Sequence, residues 1–152
     1  MKIRNIFLCW ILFVISLNGF AQSTEDWNNV IGLACGYSGR PTASVIHIED
    51  LIYQKNFDSI KVLMCSFVPS IKYLSVKTCE ILERKGMIQF SADERVYINE
   101  IKKSNDTLYY CSGCTEQASY TIMELFADNS IELNKGVNNW IKSCLKIEIQ
   151  PR

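Results

Sequence analysis

Histidine is almost missing from this chain: His47 stands alone in 152 residues. Any Ser-His or Cys-His nucleophile pair would have to use it, and no serine sits in a G-x-S-x-G elbow. Lying among Val45, Ile46 and Ile48, His47 reads as an ordinary surface or boundary residue rather than a metal ligand. A phosphate-cradling glycine loop is missing as well, because Gly32, Gly36 and Gly39 lack the flanking strand and helix register. An excess of one charge is also lacking. Lys and Arg number 16 and Asp and Glu 16, with no charge block, which disfavours nucleic acid as a partner. The adjacent carboxylates Glu49-Asp50 and Asp93-Glu94 do not face each other on a helix and read as solvated or capping groups. No catalytic residue, cofactor-binding residue or metal ligand is assigned, and no cofactor is expected.

What is present begins with an address. Lys2 and Arg4 precede an apolar run from Ile6 to Leu17, and Asn18-Gly19-Phe20-Ala21 ends in small residues. This pattern predicts a secretory signal peptide over 1–21, cleaved before Gln22. The run is short of the roughly 20 residues a membrane span needs, and no later run reaches that length. Residues 22–152 are then expected as one exported domain, periplasmic or secreted and bacterial in style. Without Lys2 and Arg4 it carries 14 basic and 16 acidic residues, a net charge of −2.

Helical periodicity dominates the rest. Phe57, Ile60, Leu63, Met64 and Phe67 share one face of a helix opening at Asp58 and Ser59 and ending before Pro69. Ile71, Leu74, Ile81 and Leu82 share the next, capped by Ser70 and stopped at Gly86. The turn at Val68-Pro69-Ser70 is short, so the two are expected to be antiparallel neighbours. The stretch from Pro69 to Leu82, PSIKYLSVKTCEIL, resembles the inner helix of a HEAT or armadillo-type pair. The resemblance covers about one pair and no second copy follows at a fixed period, so it implies at most a small HEAT-like domain.

Four more helices are expected, over Thr42–Gln54, from the capping box at Ser91 and Glu94 to Lys103, from a Ser119 cap to Asp128, and over Lys135–Lys146. Tyr97, Ile98 and Ile101 are expected to face inward. Val30–Cys35 reads as a possible helix start, and Thr107–Cys111 as extended. The fold class is therefore expected to be all-α: an irregular bundle or HEAT-like hairpins of about six helices.

Six cysteines remain after signal cleavage, and an even count in an exported domain argues for disulfides. Cys65 and Cys79 fall at different heights on antiparallel helices, roughly 9 Å apart along the axis, beyond the roughly 7 Å a bridge tolerates. Both are expected to be free or buried. Cys35, Cys111, Cys114 and Cys144 are the disulfide candidates, with Cys35 expected to join Cys111 or Cys114. Cys111-Ser112-Gly113-Cys114 is also a C-x-x-C, and a cysteine at a helix start has a lowered pKa and becomes reactive. No proline follows it before Pro151, and 38 residues are too few for the rest of a thioredoxin-like sheet. As a zinc site it is half a ligand set, without a second pair.

The function these features favour is a non-catalytic exported domain, binding another envelope or secreted protein or serving a structural task. A thiol–disulfide redox protein using Cys111 and Cys114, and a hydrolase or inhibitor with an unrecognisable site, are the alternatives.

Overall fold

The computed structural model describes residues 29–147. The signal-peptide expectation over 1–21 lies outside the described residues. The elements in order are β1 (Val30–Ile31), α1 (Ala43–Tyr53), α2 (Phe57–Leu63), α3 (Pro69–Arg84), α4 (Ala92–Ile101), β2 (Thr107–Ser112), β3 (Glu116–Thr121), α5 (Ile122–Ala127) and α6 (Glu132–Ile147). Three strands form a mixed sheet in the order β1-β2-β3. β1 runs parallel to β2, and β2 runs antiparallel to β3. The fold is therefore mixed α/β, which corrects the expected all-α bundle and the HEAT-like hairpins.

The sequence marks β2, where the extended reading of Thr107–Cys111 matches the strand, but it marks neither β1 nor β3, so the sheet as a whole is not legible in it. β1 has two residues, so periodicity carries no signal there, and the expected helix start at Val30–Cys35 is a strand followed by turns. In β2, Leu108 and Tyr110 are buried while Tyr109 faces out, the alternation of a half-buried strand. β3 contains the proposed cap Ser119, which instead pairs with Tyr109. The helix begins two residues later, where Thr121 and Glu124 form a reciprocal capping box.

α3 is the hub. It packs on α1, α2, α6 and β2, and ten of its sixteen residues are buried. A helix enclosed this way must satisfy its own hydroxyls: Ser75 Oγ donates to the Ile71 carbonyl at 2.7 Å and Thr78 Oγ1 to the Leu74 carbonyl at 2.8 Å. Its cap is not Ser70. Val68 precedes the helix, Pro69 takes the first turn, and the Ser70 N–H donates to Asn29 Oδ1 at 3.0 Å. Gly86 closes it with φ +72°, the left-handed stop the sequence called for.

α2 is shorter than its apolar spacing predicted. The N–H groups of Met64, Cys65 and Ser66 reach back only three residues, a tightened turn that ends the helix at Leu63. Ile60 and Met64 are buried, but Phe67 is 100% exposed. Tyr97 also departs from its expected inward position and is exposed on α4, while Ile98 and Ile101 are buried. The capping box at Ser91 and Glu94 forms, and α6 starts earlier than expected, at Glu132.

Candidate functional site

Two places in the fold gather chemistry-bearing residues. The first is a corner of the sheet around the cysteines. Cys35 and Cys111 form a disulfide across 76 residues, with Cα atoms 5.7 Å apart. Cys35 follows β1 and Cys111 sits on β2, so the bond repeats in covalent form what the parallel strand pair does through hydrogen bonds. Thr42, before α1, completes the corner. Its Oγ1 donates to the Val30 carbonyl at 2.9 Å and accepts from the Gly32 N–H at 3.1 Å, while Ser44 Oγ donates to the same carbonyl at 2.6 Å. The Thr42 hydroxyl is thus spent on the strand and does not cap its helix. Gly32 is required by contact: a Cβ there would lie 2.0 Å from Cys35 Sγ and 3.0 Å from the Cys111 carbonyl.

The C-x-x-C is not a helix start. Cys111 pairs with Gln117 and Ser112 with Glu116, so Cys114 lies in the tight turn of the β2–β3 hairpin as an exposed free thiol. Cys144, another bridge candidate, is a free thiol buried under α1. Its Sγ lies 3.7 Å from Glu49 Oε1, and Tyr53 Oη donates to the same oxygen at 3.1 Å. Burial first, then the Glu49 carboxylate, pushes the Cys144 thiol up to about 11, which keeps it protonated. Cys79 is free and buried, and Cys65 is free and exposed. His47 is exposed on α1. No group of three or more possible metal-holding side chains occurs among the described residues.

The second place was not foreseen. Between α3 and α6 lies a cavity of about 400 Å³ lined by Ile81, Arg84, Lys85, Asn138, Lys142 and Lys146. A smaller cavity of about 230 Å³ continues from it, sharing Arg84 and Asn138, and adds Lys77, Glu80, Lys102, Phe126 and Asn129. Six cations and one carboxylate line the groove formed by these two cavities, on a chain whose basic and acidic residues balance; a third cavity of about 160 Å³ shares Glu80 and Lys102 and adds the Arg95–Glu83 pair. Outside the groove four cations meet carboxylates, Lys61 with Glu94 at 2.9 Å, Lys72 with Asp106 at 2.7 Å, Arg95 with Glu83 at 2.6 Å and Lys103 with Glu100 at 3.1 Å, while Arg40, Lys55 and Lys135 make no ion pair among the described residues. Inside the groove Lys102 holds Glu80 at 2.5 Å, and the other five cations make no ion pair among the described residues. Helix carbonyl ends offset part of this charge at Arg84 and Lys146, which lie in last turns. They do not account for Lys77 or Lys142.

A buried network fixes the inner wall. Tyr73 Oη donates to Asn134 Oδ1, and Asn134 Nδ2 donates to the carbonyls of Leu125 at 2.5 Å and Asp128 at 2.7 Å. Asn134 thereby satisfies the end of α5 and sets Phe126 against Tyr73, ring centroids 5.4 Å apart. Lys77 Nζ then lies 5.0 Å and Lys102 Nζ 5.4 Å from the Phe126 centroid. Nothing in the sequence flagged this site, because its cations are scattered from Lys77 to Lys146 and form no run. No protein-family model, curated protein or solved structure matches the chain. Fold and site define a mixed α/β domain with a disulfide-stapled sheet corner and a cationic groove between two long helices.

Proposed function

We propose that this chain is a non-catalytic exported domain that holds an acidic segment of another envelope or secreted protein in the groove between α3 and α6. The observation that carries the reading is the set Arg84, Lys85, Lys142 and Lys146, none of which pairs with a carboxylate among the described residues. Unpaired like charges repel, so a groove of them is complementary to an acidic ligand. Export is supported by the leader-like N-terminus and by the Cys35–Cys111 bond, which suits an oxidising compartment. Among the described residues no helix is long and apolar enough to cross a membrane. Redox use of Cys111 and Cys114 loses support from the hairpin geometry, since Cys111 bonds Cys35 and Cys114 opens no helix.

The test is calorimetric titration of residues 22–152 with a deca-glutamate peptide at low ionic strength. The expected result is saturable binding that weakens with added salt and falls at least tenfold in the K142Q/K146Q variant. Binding unchanged in that variant, or tighter binding of a single-stranded oligonucleotide than of the peptide, would overturn the reading.

A further inference from the structure

Lys77 is the outlier of the groove. It lies at the middle of α3, 6% exposed, and lines the smaller cavity. An ammonium has three donors and no acceptor. Lys77 makes no hydrogen bond and no ion pair among the described residues; the rings of Phe126 and Tyr73, at 5.0 and 5.8 Å, are its close partners. Such contacts offset part of the cost of burying a charge, but they accept no hydrogen bond of ordinary strength. A lysine this enclosed, at the wall of a cavity, is therefore a donor waiting for an acceptor.

The surroundings say what kind. Lys77, Arg84 and Lys102 bring three positive charges to the cavity, Glu80 brings one negative charge that Lys102 already engages, and Asn129 and Asn138 add amides. The balance is two positive charges over about 230 Å³. We infer that this inner cavity is a binding site for one compact dianionic oxyanion, a phosphate group, held by Lys77 from below and by Arg84 and the asparagine amides at the rim. The guanidinium fork pairs with carboxylate and phosphate alike, and the two net positive charges with the added amide donors suit a dianion carrying several oxygens on one centre. Burial first, then the neighbouring Arg84 and Lys102 charges, hold the Lys77 pKa below the ordinary lysine value against the Glu80 carboxylate, which raises it, and a bound dianion adds to the Glu80 effect. This deepens the groove reading and rests on the same cationic face; Arg84 serves both, whereas Lys77 is needed only for the phosphate and Lys142 and Lys146 only for an acidic segment.

The experiment titrates the domain, residues 22–152, with inorganic phosphate and separately with glycerol 1-phosphate, in a buffer free of other oxyanions. Saturable one-to-one binding is expected, weakened at least tenfold in both Lys77→Met and Arg84→Gln, and within twofold of wild type in Lys103→Gln. Methionine keeps the length and packing of the buried stem, and Arg84 is exposed, so loss in both variants separates ligand contact from misfolding; thermal melts verify the fold. Equal affinity for the two ligands identifies a free ion as occupant, and a monoester bound tenfold tighter identifies the head of a larger ligand; either supports the site. Absence of saturable binding to 10-fold above about 1 mM, the weak end of specific affinity, or full binding by Lys77→Met, overturns it and leaves the ammonium to water. Phosphate binding that needs Lys77, alongside failure of the deca-glutamate test, would retain this site and remove the proposed function; the converse would do the reverse.

Discussion

At the scale of single residues, the buried thiols set a pH limit. Cys79 sits inside α3, and burial pushes its pKa up to about 12 from 9.0. Cys144 is pushed up to about 11. A raised pKa in the folded state means that the unfolded chain loses its thiol protons first. The stability from these thiols is complete below pH 9.0 and is lost as pH rises toward about 12. We expect unfolding free energies from denaturant titrations at pH 8 and pH 11 to differ by about 2–3 kcal/mol on the Cys79 contribution. Cys79→Ala should remove that share of the loss and leave the Cys144 share, while costing about 1 kcal/mol at pH 8. A slope unchanged in this variant would mean that Cys79 is solvated enough to ionise in place.

At the scale of elements, β1 shows how little secondary structure can hold a chain when other bonds support it. Two strand residues pair with β2, and Thr42, Ser44 and the Cys35–Cys111 bond fasten the same segment. A loop of this length predicts a loss of about 4 kcal/mol when the bond is removed, as in C35A/C111A. Gly32→Ala should cost about 1–3 kcal/mol in the oxidised protein, since its Cβ meets Cys35 Sγ. That cost should shrink in the C35A/C111A background, a coupling that a double-mutant cycle of urea midpoints reads directly. Additive costs would show that Gly32 is needed for its backbone and not for the bond. This corner also marks the boundary of what the sequence discloses. The capping box at Ser91 and Glu94, the Gly86 stop and the helix around Val45, Ile48 and Ile52 were legible because each is local, set by residues within one or two turns. β3 was not, because EQASYT has little β preference and owes its state to the ladder with β2. The end of α2 is not legible because apolar spacing continues to Phe67 after the backbone has turned away.

At the scale of the whole molecule, charge is balanced in sum and separated in space. That separation was illegible in sequence, because Lys77, Arg84, Lys102 and Lys142 meet only when α3, α4 and α6 pack. Such a groove should reduce stability, and the sign is testable. Lys142 and Lys146 stand one turn apart on α6, a like-charge pair that costs a few tenths of a kcal/mol. Lys142→Glu turns it into a glutamate preceding a lysine by four residues, the favourable orientation, and also relieves repulsion with Arg84 and Lys85. We expect this variant to be more stable than wild type by about 0.5–1 kcal/mol at low salt, with the difference closing in 1 M salt. Its binding of deca-glutamate should fall at the same time. Residues that stabilise the protein when reversed, and abolish binding when reversed, are held there at a cost to the fold, as expected where activity and stability compete. A destabilised Lys142→Glu would instead make the cations part of the framework, offsetting the carbonyl ends of α3 and α6, and the groove would lose its claim to be a binding face.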